Sequence, residues 1–320
     1  MPLIQVQNLV KHFPKHGGFL NRVVAKVHAV NGVSFEVHRG ETLGVVGESG
    51  CGKSTLGKAI VRLVDPTSGS VSYDGADITR LNYGEMMPYR KRMQVIFQDP
   101  NSSLNPRMTV DKMLREVVRF HKIVPPEAVD AYIDVLIAKV GLRGDDKQKY
   151  AHEFSGGQRQ RIGIARALAV KPEFIVADEP VSALDVSIQA QVLNLLMDLK
   201  EEFSLTLLFI SHDLKVIDHL CDRMLVMYLG HVVEEMPCDD IYNQALHPYT
   251  KALLESNPIS DPDDRHELTV LEGEVPSPYD PPPGCPFVTR CPLKESRCDH
   301  EMPPLVEKAD GHRVACWAVE

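Results

Sequence analysis

The chain has 320 residues, of which 43% are hydrophobic and 25% charged, and its formal net charge is −9. This composition predicts a soluble globular protein with one large or two smaller domains, and no stretch reaches the ~20 continuous apolar residues that a membrane-spanning helix needs. The acidic balance argues against a nucleic-acid partner, and the N-terminus lacks the basic and apolar regions of an export signal.

The N-terminal part is predicted to contain two strands joined by a basic loop. Alternating residues at 3–9 predict an edge strand, and residues 33–37 predict a second strand. Between them lie Lys11, His12 and Phe13, followed by a Gly-containing basic loop that ends at Arg22. Phe13 follows the first strand and its ring could stack on an adenine, although an aromatic in such a position is more often part of a core.

A glycine-rich segment at residues 47–55 matches the pattern G-x-x-x-x-G-K-[ST] that cradles nucleotide phosphates. An apolar run at 42–46 predicts a strand before it, and residues 53–63 predict a helix after it. Glycines let backbone N–H groups approach a phosphate closely, while the helix offers the positive end of its dipole. We expect Lys53 to hold the β- and γ-phosphates and Ser54 to ligate Mg²⁺. The residues predicted to bind nucleotide here are Gly47, Glu48, Ser49, Gly50, Cys51, Gly52, Lys53, Ser54 and Thr55.

The segment after this phosphate loop is predicted to hold short strands and then a helical subdomain. Residues 71–75 predict a strand with a tight turn, and an apolar run at 95–97 predicts a buried strand that ends at Gln98. Apolar residues recur at three-to-four spacing over 109–140. We therefore expect an inserted helical subdomain at about 99–170.

A second motif, Phe-Ser-Gly-Gly-Gln at residues 154–158, has two interpretations. A serine at a predicted helix start with a glutamine three positions later is the pattern of a capping box. Alternatively, the segment exposes N–H groups at a helix start and forms a second anion site. The residues of that site would be Ser155, Gly156, Gly157 and Gln158.

Two buried strands are predicted to end in polar residues suited to phosphate chemistry. Residues 174–179 are an apolar run that ends in Asp178, expected to hold Mg²⁺, and Glu179, expected to face water. Without a phosphate loop elsewhere in the chain, this pair would be a plain strand end at the surface. Residues 205–210 predict the next strand, and His212 after it is expected to touch the γ-phosphate.

The composition changes near residues 236–238, where a domain boundary is predicted. The last short strands, at 223–235, are expected to close a nucleotide-binding domain of residues 1–236. Residues 237–320 would form a C-terminal extension, in which the Pro-rich stretch 258–283 is a tether without much core of its own.

Four of the seven cysteines lie in this extension. An intracellular user of ATP implies a reducing compartment, which favours a metal site over disulfides. The spacing x5, x6 and x17 lacks the C-x2-C pairs common in zinc sites, and two of the four cysteines precede proline. We therefore predict a four-iron four-sulfur cluster, with zinc or metal-free thiols as alternatives. The predicted ligands are Cys285, Cys291, Cys298 and Cys316.

Together these motifs resemble those of the ATP-binding-cassette (ABC) ATPases over about residues 3–235. The shared set comprises residues 47–55, Gln98, 154–158, 174–179, Ser-Ala-Leu-Asp at 182–185, and His212. Further motifs resemble those of the oligopeptide/dipeptide importer branch of this family. They are Phe-Gln-Asp-Pro at 97–100 with residues 103–109, His-Pro-Tyr-Thr at 247–250, and the tail that contains Cys-Pro-Phe and Arg-Cys-Pro. Within that branch the chain most resembles the second, F-type ATPase subunit of a dipeptide importer.

The resemblance implies an α/β fold, with a P-loop ABC ATPase core, an antiparallel β subdomain, an inserted helical subdomain and a small Cys-rich C-terminal extension. Two cassettes would sandwich two ATP molecules head to tail, and residues 155–158 would complete the partner's site. The branch resemblance also implies an iron–sulfur cluster.

The resemblance also implies roles for single residues. Phe13 would stack on adenine, where many cassettes carry a tyrosine. Glu179 would polarise the attacking water and His212 would fix that water and the γ-phosphate. Gln98 would ligate Mg²⁺ and report the metal and water to a membrane subunit, and Asp185 joins the nucleotide site.

The implied function is ATP hydrolysis that drives peptide import at the cytoplasmic face of the plasma membrane. The implied partners are a second, paralogous ATPase subunit, two transmembrane permease subunits and an extracytoplasmic peptide-binding protein, with no nucleic acid. A soluble ABC ATPase acting on nucleic acid or the ribosome, or a redox-sensing regulator, are the alternatives. The sequence leaves the solute open among dipeptide, longer peptide, nickel chelate and haem.

Overall fold

The computed structural model describes residues 1–17, 22–256 and 273–319. The strands are β1 (Ile4–Gly17), β2 (Arg22–Val37), β3 (Thr42–Val46), β4 (Ser68–Tyr73), β5 (Ala76–Asp77), β6 (Met93–Ile96), β7 (Phe174–Asp178), β8 (Thr206–Ile210), β9 (Arg223–Tyr228), β10 (His231–Pro237), β11 (Val306–Ala309) and β12 (His312–Val314). The α-helices are α1 (Lys53–Ile60), α2 (Tyr83–Arg92), α3 (Pro100–Ser103), α4 (Val110–Phe120), α5 (Val129–Lys139), α6 (Gly156–Leu168), α7 (Val186–Phe203), α8 (Leu214–Leu220), α9 (Ile241–Gln244) and α10 (Pro248–Glu255).

The chain divides into two compact units. The first comprises residues 1–38, 42–79 and 211–320, and the second comprises residues 39–41 and 80–210. None of the helices in the described parts of the chain combines the length and the apolar character that crossing a bilayer requires.

One sheet of the first unit is antiparallel, with the strand order β2-β1-β4-β5. β1 lies between β2 and β4, so the prediction of an edge strand at residues 3–9 is wrong. The predicted basic loop is also wrong in its described part, because β1 and β2 pair as a long hairpin in which Phe13 lies opposite Val27. Residues 18–21 of that predicted loop lie outside the described residues.

The first unit also contains strands of a second sheet, and the phosphate loop follows strand β3 of that sheet. Strand β3 spans the predicted residues 42–46, is buried at every position and runs parallel to β9. Strands β9, β10, β12 and β11 follow in antiparallel order. The sequence predicted that the last strands lie at residues 223–235, and this prediction is wrong because β11 and β12 follow them. These two strands have only four and three residues, too few for a pattern of alternating apolar residues to identify them.

The predicted C-terminal extension, residues 237–320, is called the C-terminal segment below. Its described part belongs to the first unit. The predicted boundary at 236–238 falls at the end of β10, and β12 pairs with the same strand. The fully buried carboxylate of Glu234 accepts hydrogen bonds from the Leu246 N–H, at 2.7 Å, and contacts His312 Nε2 at 2.8 Å. Within the predicted tether, residues 258–272 lie outside the described residues, and the part from 273 to 283 has no helix or strand.

The second unit contains the parallel strands β6, β7 and β8, together with helices α2 to α7. Strand β7 confirms the predicted apolar run that ends at Asp178. The predicted helical stretch at 109–140 is two helices, α4 and α5, separated by a 3-10 turn at Pro126–Ala128. Helix α4 ends at Phe120, and Lys122 has φ 50°. The consecutive prolines at 125 and 126 then prevent helical pairing from continuing, because proline has no N–H to donate.

Candidate functional site

The phosphate loop at residues 47–55 packs closely against the backbone of neighbouring segments at Ala29 and Met227. Gly47 has φ 146° and Gly52 has φ 108°, values that residues with a side chain rarely adopt. A Cβ atom on Gly47 would stand 2.2 Å from the Met227 carbonyl oxygen, and one on Gly52 would stand 2.0 Å from the Ala29 carbonyl oxygen. Both positions therefore require glycine, which explains both glycines that the pattern specifies.

The loop leads directly into α1, whose first residue is Lys53. Its side chain is only 4% exposed, and its ammonium donates to the carbonyl oxygens of Gly47, at 2.7 Å, and Glu48, at 3.1 Å. Gly52 stands at the N-cap without a side-chain cap, so the first N–H groups of the helix can meet an anion. The predicted helix over 53–63 is shorter than expected, because α1 ends at Ile60.

The other loop residues differ in exposure. Ser49 and Gly50 are exposed, Ser54 and Thr55 are half-buried, and Cys51 is buried. Burial raises the pKa of the Cys51 thiol, so this side chain is a small neutral packing group.

In the second unit, the structure brings Gln98 and Glu179 together. Gln98 Nε2 donates to Glu179 Oε2 at 2.8 Å, a contact that the sequence did not predict. Glu179 has φ 45°, a left-handed conformation that is costly for a residue with a side chain and that concentrates at functional sites. The Glu179 N–H donates to the Ile210 carbonyl oxygen at 3.0 Å, which fixes this conformation at the end of β7.

The residues predicted to hold Mg²⁺ have suitable chemistry. Asp178 ends β7 and is only 3% exposed, so its carboxylate is partly desolvated. The side chains of Ser54 and Gln98 add a hydroxyl and an amide oxygen, and Mg²⁺ prefers such hard oxygen donors. The chemistry of each of these three side chains therefore suits the ion.

The motif at 154–158 forms the predicted capping box at the start of α6. The Gln158 N–H donates to Ser155 Oγ at 3.3 Å, and the Ser155 N–H donates to Gln158 Oε1 at 3.1 Å. Ser155, Gly156 and Gln158 are exposed, whereas a Cβ on Gly157 would stand 2.4 Å from Ile188 Cγ2. The second glycine is therefore required for packing of α6 against α7, a reason that the sequence did not show.

The structure also describes three further predicted site residues. Asp185 is the N-cap of α7 and its carboxylate accepts from the Ile188 N–H at 3.0 Å, which lowers the pKa of this exposed side chain. His212 follows β8 and is exposed. Phe13 is 37% exposed on β1, so it is not the core residue that its sequence position alone favoured.

The prediction of an iron–sulfur cluster is wrong. In residues 1–17, 22–256 and 273–319, no group of three or more His, Cys, Asp and Glu side chains is placed to hold a metal ion. Burial raises the pKa of the Cys285 thiol to about 11, and it also raises the pKa values of Cys291 and Cys316, so these side chains are neutral thiols in the metal-free chain. The four cysteines are free thiols, of which Cys285 and Cys298 are buried packing residues.

Sequence analysis also missed the residues that hold the phosphate loop from the C-terminal segment. The Glu48 carboxylate pairs with Arg290, and the Glu48 N–H donates to the Tyr249 hydroxyl at 2.8 Å. No local pattern marks these partners, because Arg290 lies 242 positions from Glu48 in the chain.

Two sequence families match this chain. The model of the ABC transporter family matches residues 30–182, and the model of the oligopeptide/dipeptide transporter C-terminal region matches residues 233–298. The first range includes the phosphate loop and the motif at 154–158, and the second includes Tyr249 and Arg290.

Individual proteins are similar over almost the whole chain. The probable peptide ABC transporter ATP-binding protein y4tS of Sinorhizobium fredii is 52% identical, over 98% of this chain and 89% of its own. The oligopeptide transport ATP-binding protein AppF of Bacillus subtilis is 49% identical, over 98% of this chain and 96% of its own. Among solved structures, the dimeric ATP-binding cassette MJ0796 bound to ADP and Pi superposes with a TM-score of 0.65 at 28% identity, over 73% of this chain and 98% of that one.

Proposed function

This chain belongs to the ATP-binding proteins of ABC transporters, and from that premise we propose that it hydrolyses ATP to energise the import of di- and oligopeptides. The observation that carries the proposal is the identity of about half of all residues with peptide-transport ATP-binding proteins, over 98% of the chain. The glycine-dependent phosphate loop and the buried Lys53 support the same reading from geometry.

We propose roles for the residues that position and hydrolyse the nucleotide. Lys53 neutralises the β- and γ-phosphates, and Phe13 stacks on the adenine. Glu179 orients and polarises the attacking water, and the hydrogen bond from Gln98 keeps its carboxylate oriented. His212 fixes the γ-phosphate. Mg²⁺, held by Ser54, Asp178 and Gln98, would neutralise charge on the phosphates. In-line phosphoryl transfer needs mainly such positioning and charge neutralisation.

A second cassette is proposed to complete each nucleotide site. Ser155, Gly156 and Gln158 are exposed at the start of α6, where N–H groups and the positive end of the helix dipole can meet a γ-phosphate on another subunit. We propose that the partner is a paralogue, that Asp185 lies at the same interface, and that ATP joins the two subunits.

The assembly proposed for this chain also contains two permease subunits and an extracytoplasmic peptide-binding protein, at the cytoplasmic face of the plasma membrane. Within the chain, residues 1–236 would carry the ATPase, with a helical subdomain at about 99–170, and residues 237–320 would form an extension that docks on it.

The test is isolation of the tagged chain from membranes of the native cell, with identification of the subunits that co-purify. The complex is then placed in proteoliposomes with its binding protein, and ATP hydrolysis is measured with and without di- and tripeptides. We expect peptide-stimulated hydrolysis that Lys53→Ala abolishes. Stimulation by DNA or ribosomes, without co-purifying permeases, would instead support a soluble ABC ATPase.

A further inference from the structure

The backbone of the phosphate loop is held by a buried tyrosine of the C-terminal segment. Tyr249 is fully buried in the first turn of α10, and its hydroxyl accepts the Glu48 N–H at 2.8 Å. Its ring packs edge-on against Tyr228, with 4.7 Å between ring centroids, and lies 5.4 Å from Phe287. This aromatic cluster, formed by Tyr228, Tyr249 and Phe287, leaves the tyrosine hydroxyl little freedom to move away from the loop.

The side chain of Glu48 is held by the same segment. Both terminal nitrogens of Arg290 donate to its carboxylate, Nη1 to Oε2 at 2.8 Å and Nη2 to Oε1 at 3.1 Å. The arginine side chain is 6% exposed and that of the glutamate 26%, so solvent screens this pair only in part. Arg290 Nη1 also donates to the Tyr228 hydroxyl at 3.4 Å, which ties the guanidinium to the aromatic cluster.

The charge of Glu48 is a disadvantage for a loop that binds phosphates. A carboxylate one residue after Gly47 repels a triphosphate bound along residues 47–55, and the repulsion grows as water is excluded. The carbonyl oxygen of Glu48 also accepts from Lys53 Nζ at 3.1 Å, so displacement of this residue would disturb the phosphate-binding lysine too. The guanidinium of Arg290, paired with the Glu48 carboxylate, would both neutralise the repulsive charge and keep Glu48 in place.

We propose that Arg290 is a positioning residue for ATP binding, which neutralises the carboxylate of the phosphate loop and fixes Glu48 from the C-terminal segment. The inference rests on the proposed role of residues 47–55 in binding ATP. It gives the C-terminal segment a direct part in nucleotide affinity, through a residue that does not itself contact the nucleotide.

The test uses four variants of the full chain: Arg290→Met, Arg290→Lys, Glu48→Gln/Arg290→Met and, as a matched control, Arg297→Met. Arg297 is an arginine of the same segment whose partners are Glu295 and the Trp317 carbonyl oxygen. The dissociation constant for Mg-ATP is measured on each purified chain, and KM and kcat are measured in the membrane complex.

We expect Arg290→Met to raise the dissociation constant and KM on the order of tenfold while kcat changes less than about twofold, because an uncompensated charge opposes binding and not the chemical step. Arg290→Lys keeps the charge and should show a smaller loss. Glu48→Gln/Arg290→Met removes both charges and should restore the affinity to within about threefold of wild type. Arg297→Met should bind as wild type does.

Two results would overturn the proposal: unchanged ATP affinity in Arg290→Met, or an affinity that stays low in Glu48→Gln/Arg290→Met. The second result would mean that the arginine only supports the local fold. Failure of the wild-type chain to bind Mg-ATP would instead overturn the proposed function, so the two failures are distinguishable.

Discussion

Single residues of this chain hold conformations that their side chains alone would not choose. Glu179 keeps a left-handed backbone because its N–H is fixed by Ile210, and its carboxylate accepts from Gln98. Such strain persists only where the surroundings enforce it, and here it aims a carboxylate at the end of a buried strand. This placement supports the proposed role of Glu179 in polarising water.

Glu179→Gln should abolish turnover and retain ATP binding. The amide oxygen of the variant can still accept from Gln98, so the fold is kept, but an amide is a poor proton acceptor for the attacking water. We expect kcat to fall by on the order of 10²–10³ and ATP to hold the subunits in a stable dimer. Hydrolysis rate and ATP-dependent dimer formation by gel filtration measure both effects.

The control for this variant is Glu201→Gln, an exposed glutamate near the end of α7. It makes the same chemical change away from the proposed site and should hydrolyse ATP normally. Wild-type rates in Glu179→Gln would refute the assigned role.

At the scale of elements, the phosphate loop is defined by what packs behind it as much as by its own sequence. We expect Gly52→Ala to destabilise the protein far more than Gly50→Ala. Both glycines have positive φ, which costs a side chain about 1–2 kcal/mol, but nothing lies within 4 Å of a Cβ on Gly50. On Gly52 the Cβ also meets the Ala29 carbonyl, so about 1–3 kcal/mol more is lost. Thermal unfolding compares the two directly, and equal Tm values would contradict the packing argument.

The start of α10 should make stability depend on pH. His247 caps this helix by accepting the Tyr249 N–H on Nδ1 at 3.1 Å, and burial lowers the pKa of the imidazole from 6.5 to about 4. Between those values the unfolded chain binds a proton that the folded chain does not. The free energy of unfolding therefore falls as pH drops from 6.5 towards 4, by about 1.4 kcal/mol per pH unit for this group, and is unaffected by it above 6.5.

The variant that isolates this effect is His247→Asn, since asparagine can cap the helix but does not titrate. Urea unfolding at pH 7.5, 6 and 5 should give a shallower loss of stability in the variant than in wild type. If the free energy of unfolding fell equally with pH in the variant and in wild type, the His247 imidazole would not be the cause of the pH dependence.

Local patterns predicted the elements whose causes are local. Strands β3 and β7 and the capping box at Ser155 follow from apolar runs and from a four-residue motif. Contacts between distant residues left no such pattern: Gln98 and Glu179 are 81 positions apart, and Glu48 and Arg290 are 242 apart. The iron–sulfur prediction failed because the spacing of cysteines along the chain does not show whether their side chains are placed around one metal position, and in the described residues they are not.

At the scale of the whole molecule, the exposed start of α6 is the surface that we propose meets a second subunit. The capping box at Ser155 stabilises the helix, yet Ser155, Gly156 and Gln158 remain exposed. A second subunit whose nucleotide meets this surface gives the exposure a function.

Ser155→Ala tests whether the start of α6 contacts the partner's nucleotide, and Asn82→Ala serves as a control that removes a similar helix cap. Asn82→Ala removes the capping box of α2 in the same unit, and each variant should lose about 1 kcal/mol of stability. Only Ser155→Ala should lower ATP hydrolysis in the assembled transporter, by about tenfold or more, because only Ser155 is proposed to contact the partner's γ-phosphate. The isolated subunits should bind Mg-ATP equally well in both variants. Equal losses of hydrolysis would mean that Ser155 acts through the stability of its own helix, and the proposed interface would have to lie elsewhere.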